Sequence, residues 1–257
     1  MVLDRPSLDS LLSHKPMLGD KPVNRVCEMI LNGASLEEVN ELFPTYVMVH
    51  MSKVKAYIEY RSRERLRKVV LPPFDINVFN PLLLPYILDQ PDAQPPNYSL
   101  PFKPIMRWLY RYLVMKEERP IRSPQLWIKG SPFLGKSTFT AWLAKFFRIY
   151  LLPNDHDWFD NYTDDSYDIC IADEFTGIKA SITTLNQFAS GDMCSLNRRG
   201  MAPYLKLRNI PMIIFSNYTP EEAYALVPTA QTASIEALRS RFVVCTLMYP
   251  SSCTGML

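Results

Sequence analysis

Three short and almost wholly apolar runs punctuate the second half of the chain: Leu126-Trp127-Ile128, Ile169-Cys170-Ile171-Ala172 and Ile210-Pro211-Met212-Ile213-Ile214-Phe215. Their length and their polar ends predict buried strands. Ile149-Tyr150-Leu151-Leu152 and Val243-Val244-Cys245 give two further strand candidates. Between them the period changes: Phe139, Trp142, Leu143 and Phe146 recur at helical spacing, as do Phe102, Ile105, Met106, Leu109, Tyr112 and Leu113. The second set predicts an amphipathic helix with Lys103, Arg107 and Arg111 on its other side and an apolar face turned to the sheet. Nearer the N-terminus, Val23, Val26, Cys27, Ile30 and Leu31 mark a helical face that Asn32-Gly33 should end. Ser35 and Glu38 have capping-box spacing for a second helix, and Val47, Met51, Val54 and Ile58 suggest a third. A helical bundle accounts for this pattern more readily than a DNA-reading helix-turn-helix.

Proline divides these two regions. Residues 72–104 hold nine of the 22 prolines, with a polar stretch at Asp89–Gln94. The expected organisation is a helical N-terminal region at 1–70 that aids assembly, a proline-rich connector or irregular packed arm at 71–104, and an α/β domain at 105–257. Arg61, Arg63, Arg65, Arg67 and Lys68 read as a solvated helix end or as a phosphate-contacting patch.

Composition narrows the classes without choosing one. At 257 residues and 47% hydrophobic content the chain can bury a sizeable core. A net charge of +2 is too mild to announce nucleic acid, so any such surface must be local. Cysteines 27, 170, 194, 245 and 253 lack C-x-x-C spacing and read as reduced thiols, and His156 has no second ligand at ordinary spacing and reads as a loop residue. The opening residues lack a secretory pattern, and Pro81 and Pro85 interrupt the longest apolar stretch. An intracellular protein without a membrane span is expected.

The chemistry gathers at the ends of the apolar runs. Gly130-Ser131-Pro132-Phe133-Leu134-Gly135-Lys136-Ser137 is G-x-x-x-x-G-K-S between a strand and a helix, followed by Thr138. Backbone N–H groups in such a loop can cradle phosphates, Lys136 can reach β- and γ-oxygens, and the Ser137 hydroxyl can ligate Mg²⁺. The second run ends in Asp173-Glu174; two adjacent carboxylates repel unless a cation or an activated water uses them. Asp173 is thus the candidate second Mg²⁺ ligand and Glu174 the base that activates water. The third run ends at Ser216-Asn217, whose amide can sense a γ-phosphate without adding charge. Asn197-Arg198-Arg199-Gly200 is turn chemistry between short apolar stretches, and reads either as a solvated turn or as a hairpin tip for a phosphate backbone. Arg239 and Arg241 precede the last strand, where one of them can reach a neighbouring subunit's phosphate.

In this order the motifs resemble superfamily-three helicases, in particular the helicase half of the Rep proteins of small circular single-stranded DNA viruses and related plasmids. The resemblance spans about residues 100–245. It rests on Gly130–Thr138, on Ala172-Asp173-Glu174-Phe175, on Asn197–Gly200, on Phe215-Ser216-Asn217-Tyr218-Thr219-Pro220, and on Ile235 through Phe242. It implies an AAA+-like P-loop NTPase with a central parallel sheet, using ATP and Mg²⁺ and working as a homo-oligomer, usually a hexameric ring, on single-stranded DNA. By the same resemblance Arg198 or Arg199 would grip DNA with Lys206 near the hairpin base, Arg241 would be the arginine finger, and the host nucleus would be the setting for a eukaryotic viral relative. The chain carries no H-x-H or H-x-Q pair and no Tyr-x-x-Lys, so nicking is not expected and any nuclease would be a separate partner. RNA helicases of positive-strand RNA viruses share the strand-end motifs, and an oligomeric nucleotide switch that does not translocate is the remaining alternative.

Overall fold

The computed structural model describes residues 21–68, 70–96, 102–153, 159–177, 181–225, 227 and 230–248. His156 and Cys253 lie outside the described residues. Two compact units make up the chain, Met1–Val69 with Arg199–Ala202, and Val70–Arg198 with Pro203–Leu257.

Among its described residues the first unit has three helices: α1 (Pro22–Asn32), α2 (Leu36–Leu42) and α3 (Pro44–Lys68), the last bent at His50. Gly33 ends α1 with φ 103°, a left-handed conformation that costs glycine little. Ser35 and Glu38 close the capping box at the start of α2, each side chain meeting the other residue's N–H. The helices meet over Val26, Ile30, Val39, Val47 and Val54. From the arginine run near the end of α3, Arg65 turns back and donates to the carbonyl of Ile30 at 2.8 Å, satisfying a helix-end acceptor of α1.

The second unit is built on a five-stranded parallel sheet in the order β2-β3-β6-β1-β7. Its strands are β1 (Gln125–Gly130), β2 (Ile149–Leu151), β3 (Ile169–Ala172), β6 (Met212–Ser216) and β7 (Phe242–Leu247). Burial of both faces explains why the three central strands carry unbroken apolar runs. Leu126, Ile128, Ile169, Ile171, Ile213 and Phe215 face one buried cluster. Trp127, Cys170, Ala172, Met212 and Ile214 face another. Both faces are covered, as parallel sheets require. On the first face lie α5 (Lys103–Leu109), which continues into a π turn at Tyr110–Val114, and α6 (Lys136–Leu143). On the second lie α7 (Ile182–Ser190), α9 (Thr232–Arg239) and a two-stranded antiparallel hairpin of β4 (Cys194–Leu196) and β5 (Tyr204–Lys206).

The proline-rich stretch belongs to this second unit. It carries a 3₁₀ turn at Ile76–Val78 and α4 (Leu84–Ile87). Phe79 and Ile87 are buried, and Phe74 sits 5.3 Å, centroid to centroid, from each of Trp142, Phe146 and Phe147. Proline keeps the segment out of long helices, while its aromatic residues anchor it to the first sheet face. No described helix is long and apolar enough to cross a membrane.

Candidate active site

Parallel pairing sets Ile128 beside Phe215, and Ile171 beside Ile213, so β1, β3 and β6 end along one edge of the sheet. In open α/β sheets, ligands bind at such carboxyl ends. The loop after β1 turns tightly there. A Cβ on Gly130 would come within 3.1 Å of both Leu134 Cδ1 and Leu247 Cβ, so a side chain at this position would crowd the loop. Phe133 and Gly135 take positive φ of 66° and 78°, and α6 starts at the next residue. Phe133, the larger residue at the loop tip, is 97% exposed, so its bulk does not obstruct the turn.

Lys136 curls back over the loop. Its Nζ donates to Gly130 O at 2.5 Å, Ser131 O at 2.8 Å and Asn217 Oδ1 at 3.0 Å. The Ser137 hydroxyl donates to Asp173 Oδ2 at 3.0 Å. Four residues from three strand ends therefore share one edge.

The acid pair reaches this edge through a break in the ladder. Ala172 pairs with Ile214, yet the next backbone bond to β6 is made by Phe175, whose N–H donates to Phe215 O at 2.9 Å. One chain advances three residues while the other advances one, and Asp173 and Glu174 bulge out. Glu174 sits there with φ 51°, donating its N–H to Asp173 Oδ1 at 3.0 Å, with its side chain exposed. A non-glycine residue in that conformation stores about 1–3 kcal/mol of backbone strain, a feature that gathers at functional sites.

Sequence patterns did not single out the groups that hold the β6 end in place. Trp127 Nε1 donates to Tyr218 O at 2.8 Å, and Lys129 Nζ meets Glu222 Oε2 at 2.7 Å. Glu222 also caps α8 (Pro220–Tyr224) through Thr219. An apolar cavity of about 330 Å³ opens beside Gly135 and Lys136, walled by Phe79, Met106, Leu109, Phe139 and Leu247. Only the full pattern of packing reveals it, since its walls come from six separate segments.

Arg241 lies elsewhere. Its carbonyl accepts from the N–H of Gln125, the first residue of β1, whereas Gly130 is the last. Five residues of strand put this backbone roughly 16 Å from the loop that follows Gly130. The half-buried guanidinium donates to Ala237 O, and burial, then the like charge of Arg122, lowers its pKa. Arg239 is exposed and pairs with Glu221 at 3.3 Å.

Two of the three cations expected to contact DNA are turned into the protein. Arg198 donates to Tyr162 O at 2.5 Å and stacks 4.6 Å above the Tyr204 ring. Lys206 is fully buried, its Nζ 5.0 Å from the Phe188 ring centroid and without a hydrogen-bond partner. Burial lowers its pKa, although Asp164 lies near. The reason is strand alternation: Leu205 and Leu207 take the outward positions, at 51% and 63% exposure, which sends Lys206 inward. Arg199, at the hairpin turn, is exposed.

A glycine-flanked loop between β1 and α6, acids after β3 and an amide after β6 now stand on one sheet of this strand order. The fold is α/β, a five-stranded parallel sheet with helices on both faces and the G-x-x-x-x-G-K-S loop after its β1 strand. No family model and no curated protein matches the chain. Among solved structures it is similar to DnaI, at 12% identity over 72% of this chain and 98% of that one, with a TM-score of 0.37. It is also similar to the NrS-1 C-terminal region, at 15% identity over 68% of this chain and 45% of that one, TM-score 0.36. The helicase of JCV gives 14% identity over 85% and 61%, with a TM-score of 0.32.

Proposed function

We infer that the second unit hydrolyses ATP, and that the chain acts as a DNA helicase of replication initiation, assembled as a homo-oligomeric ring on single-stranded DNA. One observation carries this reading: Lys136, Ser137, Asp173 and Asn217 converge from three strand ends as two hydrogen-bonded pairs, each at 3.0 Å.

Each residue then has a task. Backbone N–H groups from Ser131 to Thr138, with the N-terminus of α6, take the phosphates. Lys136 leaves its carbonyl partners for the β- and γ-oxygens. Ser137 and Asp173 offer a hydroxyl and a carboxylate, the hard oxygen donors that suit Mg²⁺, which when bound would neutralise phosphate charge. Among the described residues no cluster of three or more His, Cys, Asp or Glu offers another metal site. Glu174, exposed on its bulge, accepts a proton from the attacking water, and Asn217 orients that water or the γ-phosphate. The apolar cavity beside Gly135 suits the nucleobase. Arg241 faces away from its own phosphate loop, so a finger role places it in a neighbouring chain's site, and Arg199 is the cation presented to DNA.

The buried positions of Arg198 and Lys206 favour a second reading, an oligomeric nucleotide switch that does not translocate. ATPase activity measured against protein concentration, with and without single-stranded DNA or RNA, separates the readings. A motor turns over faster as chains assemble and faster again with DNA, and Lys136→Ala abolishes binding and turnover. Nucleotide bound without appreciable turnover selects the switch, and stimulation by RNA alone selects the RNA track. Wild-type affinity in Lys136→Ala refutes the site.

A further inference from the structure

We propose that Ser216 is a positioning residue that ties the acid bulge to the sensor amide, so that Glu174 and Asn217 act as one unit; this rests on the hydrolytic reading above. Ser216 closes β6 and is completely buried. Its hydroxyl donates to Phe175 O at 2.8 Å and accepts from the N–H of Tyr218 at 3.0 Å. Those two partners flank the working groups. Phe175 is the residue that ends the bulge after Glu174, and Tyr218 follows Asn217 directly.

Phe175 is thus held to β6 twice, by its own N–H on Phe215 O and by the Ser216 hydroxyl on its carbonyl. Without the second bond the bulge hangs on a single backbone contact beside a residue at φ 51°. Tyr218 is likewise held twice, its N–H by Ser216 and its carbonyl by the Trp127 indole. The hydroxyl hydrogen-bonds the backbone of both loops, and its described partners include neither Lys136 nor the Gly130–Gly135 loop. Its loss should therefore loosen the placement of the attacking water while leaving phosphate binding intact. Small displacements of catalytic groups suffice, since about 1 Å of misplacement can lower a rate by 10²-fold.

Ser216→Ala removes one oxygen from a buried position and creates little free volume. In the full chain, at saturating single-stranded DNA, kcat for ATP is expected to fall about tenfold, with the nucleotide dissociation constant within about twofold of wild type. Because the hydroxyl acts through Glu174, the pair Glu174→Gln and Ser216→Ala should be non-additive: the double variant should turn over no more slowly than Glu174→Gln alone, within about twofold. An unchanged kcat in Ser216→Ala overturns the proposal. So does affinity falling in step with kcat, or effects that multiply in the double variant, since each marks a general structural contribution. Absence of Lys136-dependent turnover in the wild-type protein is a different failure: it removes the hydrolytic reading and, with it, the reaction in which Ser216 would act.

Discussion

Replacing Lys206 with methionine should stabilise the protein. The ammonium is completely enclosed, without a hydrogen-bond partner, and lies 5.0 Å from the centroid of the Phe188 ring. The carboxylate of Asp164 is already engaged by the N–H groups of Leu207 at 2.7 Å and Arg208 at 3.2 Å and by the Tyr162 hydroxyl at 3.0 Å. Methionine keeps an unbranched stem for the same packing and removes the charge. A cation–π contact contributes about 0.5–2 kcal/mol, while replacing buried charged groups by apolar ones of similar volume is often neutral or stabilising by about 1–4 kcal/mol. The net expectation is a gain of about 1–3 kcal/mol, or roughly 2–10 °C in Tm for a unit of this size. The gain depends on pH. Burial lowers the folded-state pKa of Lys206, so its destabilising effect is complete below that lowered value and disappears as pH rises through the unfolded value of about 10.4. Thermal melts of both proteins at pH 7 and near pH 10.5 measure it: a large difference at the first and a small one at the second. A lower Tm for Lys206→Met at pH 7 would refute this reasoning, and an equal gain at both pH values would assign the effect to packing. The same variant tests the inward placement of Lys206, since its affinity for single-stranded DNA should match that of the wild type.

Glu174→Gln should bind nucleotide normally and lose about 10²–10⁴-fold in kcat, checked by equilibrium binding beside steady-state turnover; ordinary turnover would remove Glu174 as the base. Arg241→Ala should be nearly inactive alone, yet mixed with Lys136→Ala chains it should recover turnover, because the intact arginine and the intact lysine then meet across chains; no recovery on mixing would exclude a role in trans. Asp168→Asn should lower stability by about 1 kcal/mol at pH 7, discounted for partial exposure. Burial would raise the Asp168 carboxyl, but hydrogen bonds from Arg148 at 2.7 and 3.0 Å outweigh it and hold the pKa below its ordinary value. That stabilisation is present above about pH 4 and is lost as pH falls through the lowered value, so acid melts of the two proteins should converge.

The central strands were legible because both faces are buried, which leaves short unbroken apolar runs in the sequence at Leu126–Ile128, Ile169–Ala172 and Met212–Phe215. The turn from β1 into α6 was legible because its glycine spacing is local. What the sequence hid depends on partners far along the chain. The bulge at Asp173 and Glu174 is defined by a bond from Phe175 to Phe215, forty residues on, and nothing in the local pattern marks it. The π turn at Tyr110–Val114 sits inside what periodicity shows as one continuous amphipathic helix. Proline content at 72–104 conveyed irregularity but not membership; Phe74 and Phe79 decided that by packing on Trp142 and Tyr110. Lys206 is the opposite case, because the alternation Leu205-Lys206-Leu207 was present in the sequence and charge suggested the other face.

The three oxygens around the Lys136 ammonium match its three protons, so on the proposed reading a phosphate would enter by exchange and not by simple addition. Measured affinity is then the difference between two sets of contacts, smaller than the attraction between lysine and phosphate alone. One displaced acceptor, Asn217, leads into the turn fastened by Tyr218 and Glu222. On the proposed reading, arrival of charge beside one strand would free an amide at the tip of its neighbour, a mechanical signal at the first moment of occupancy.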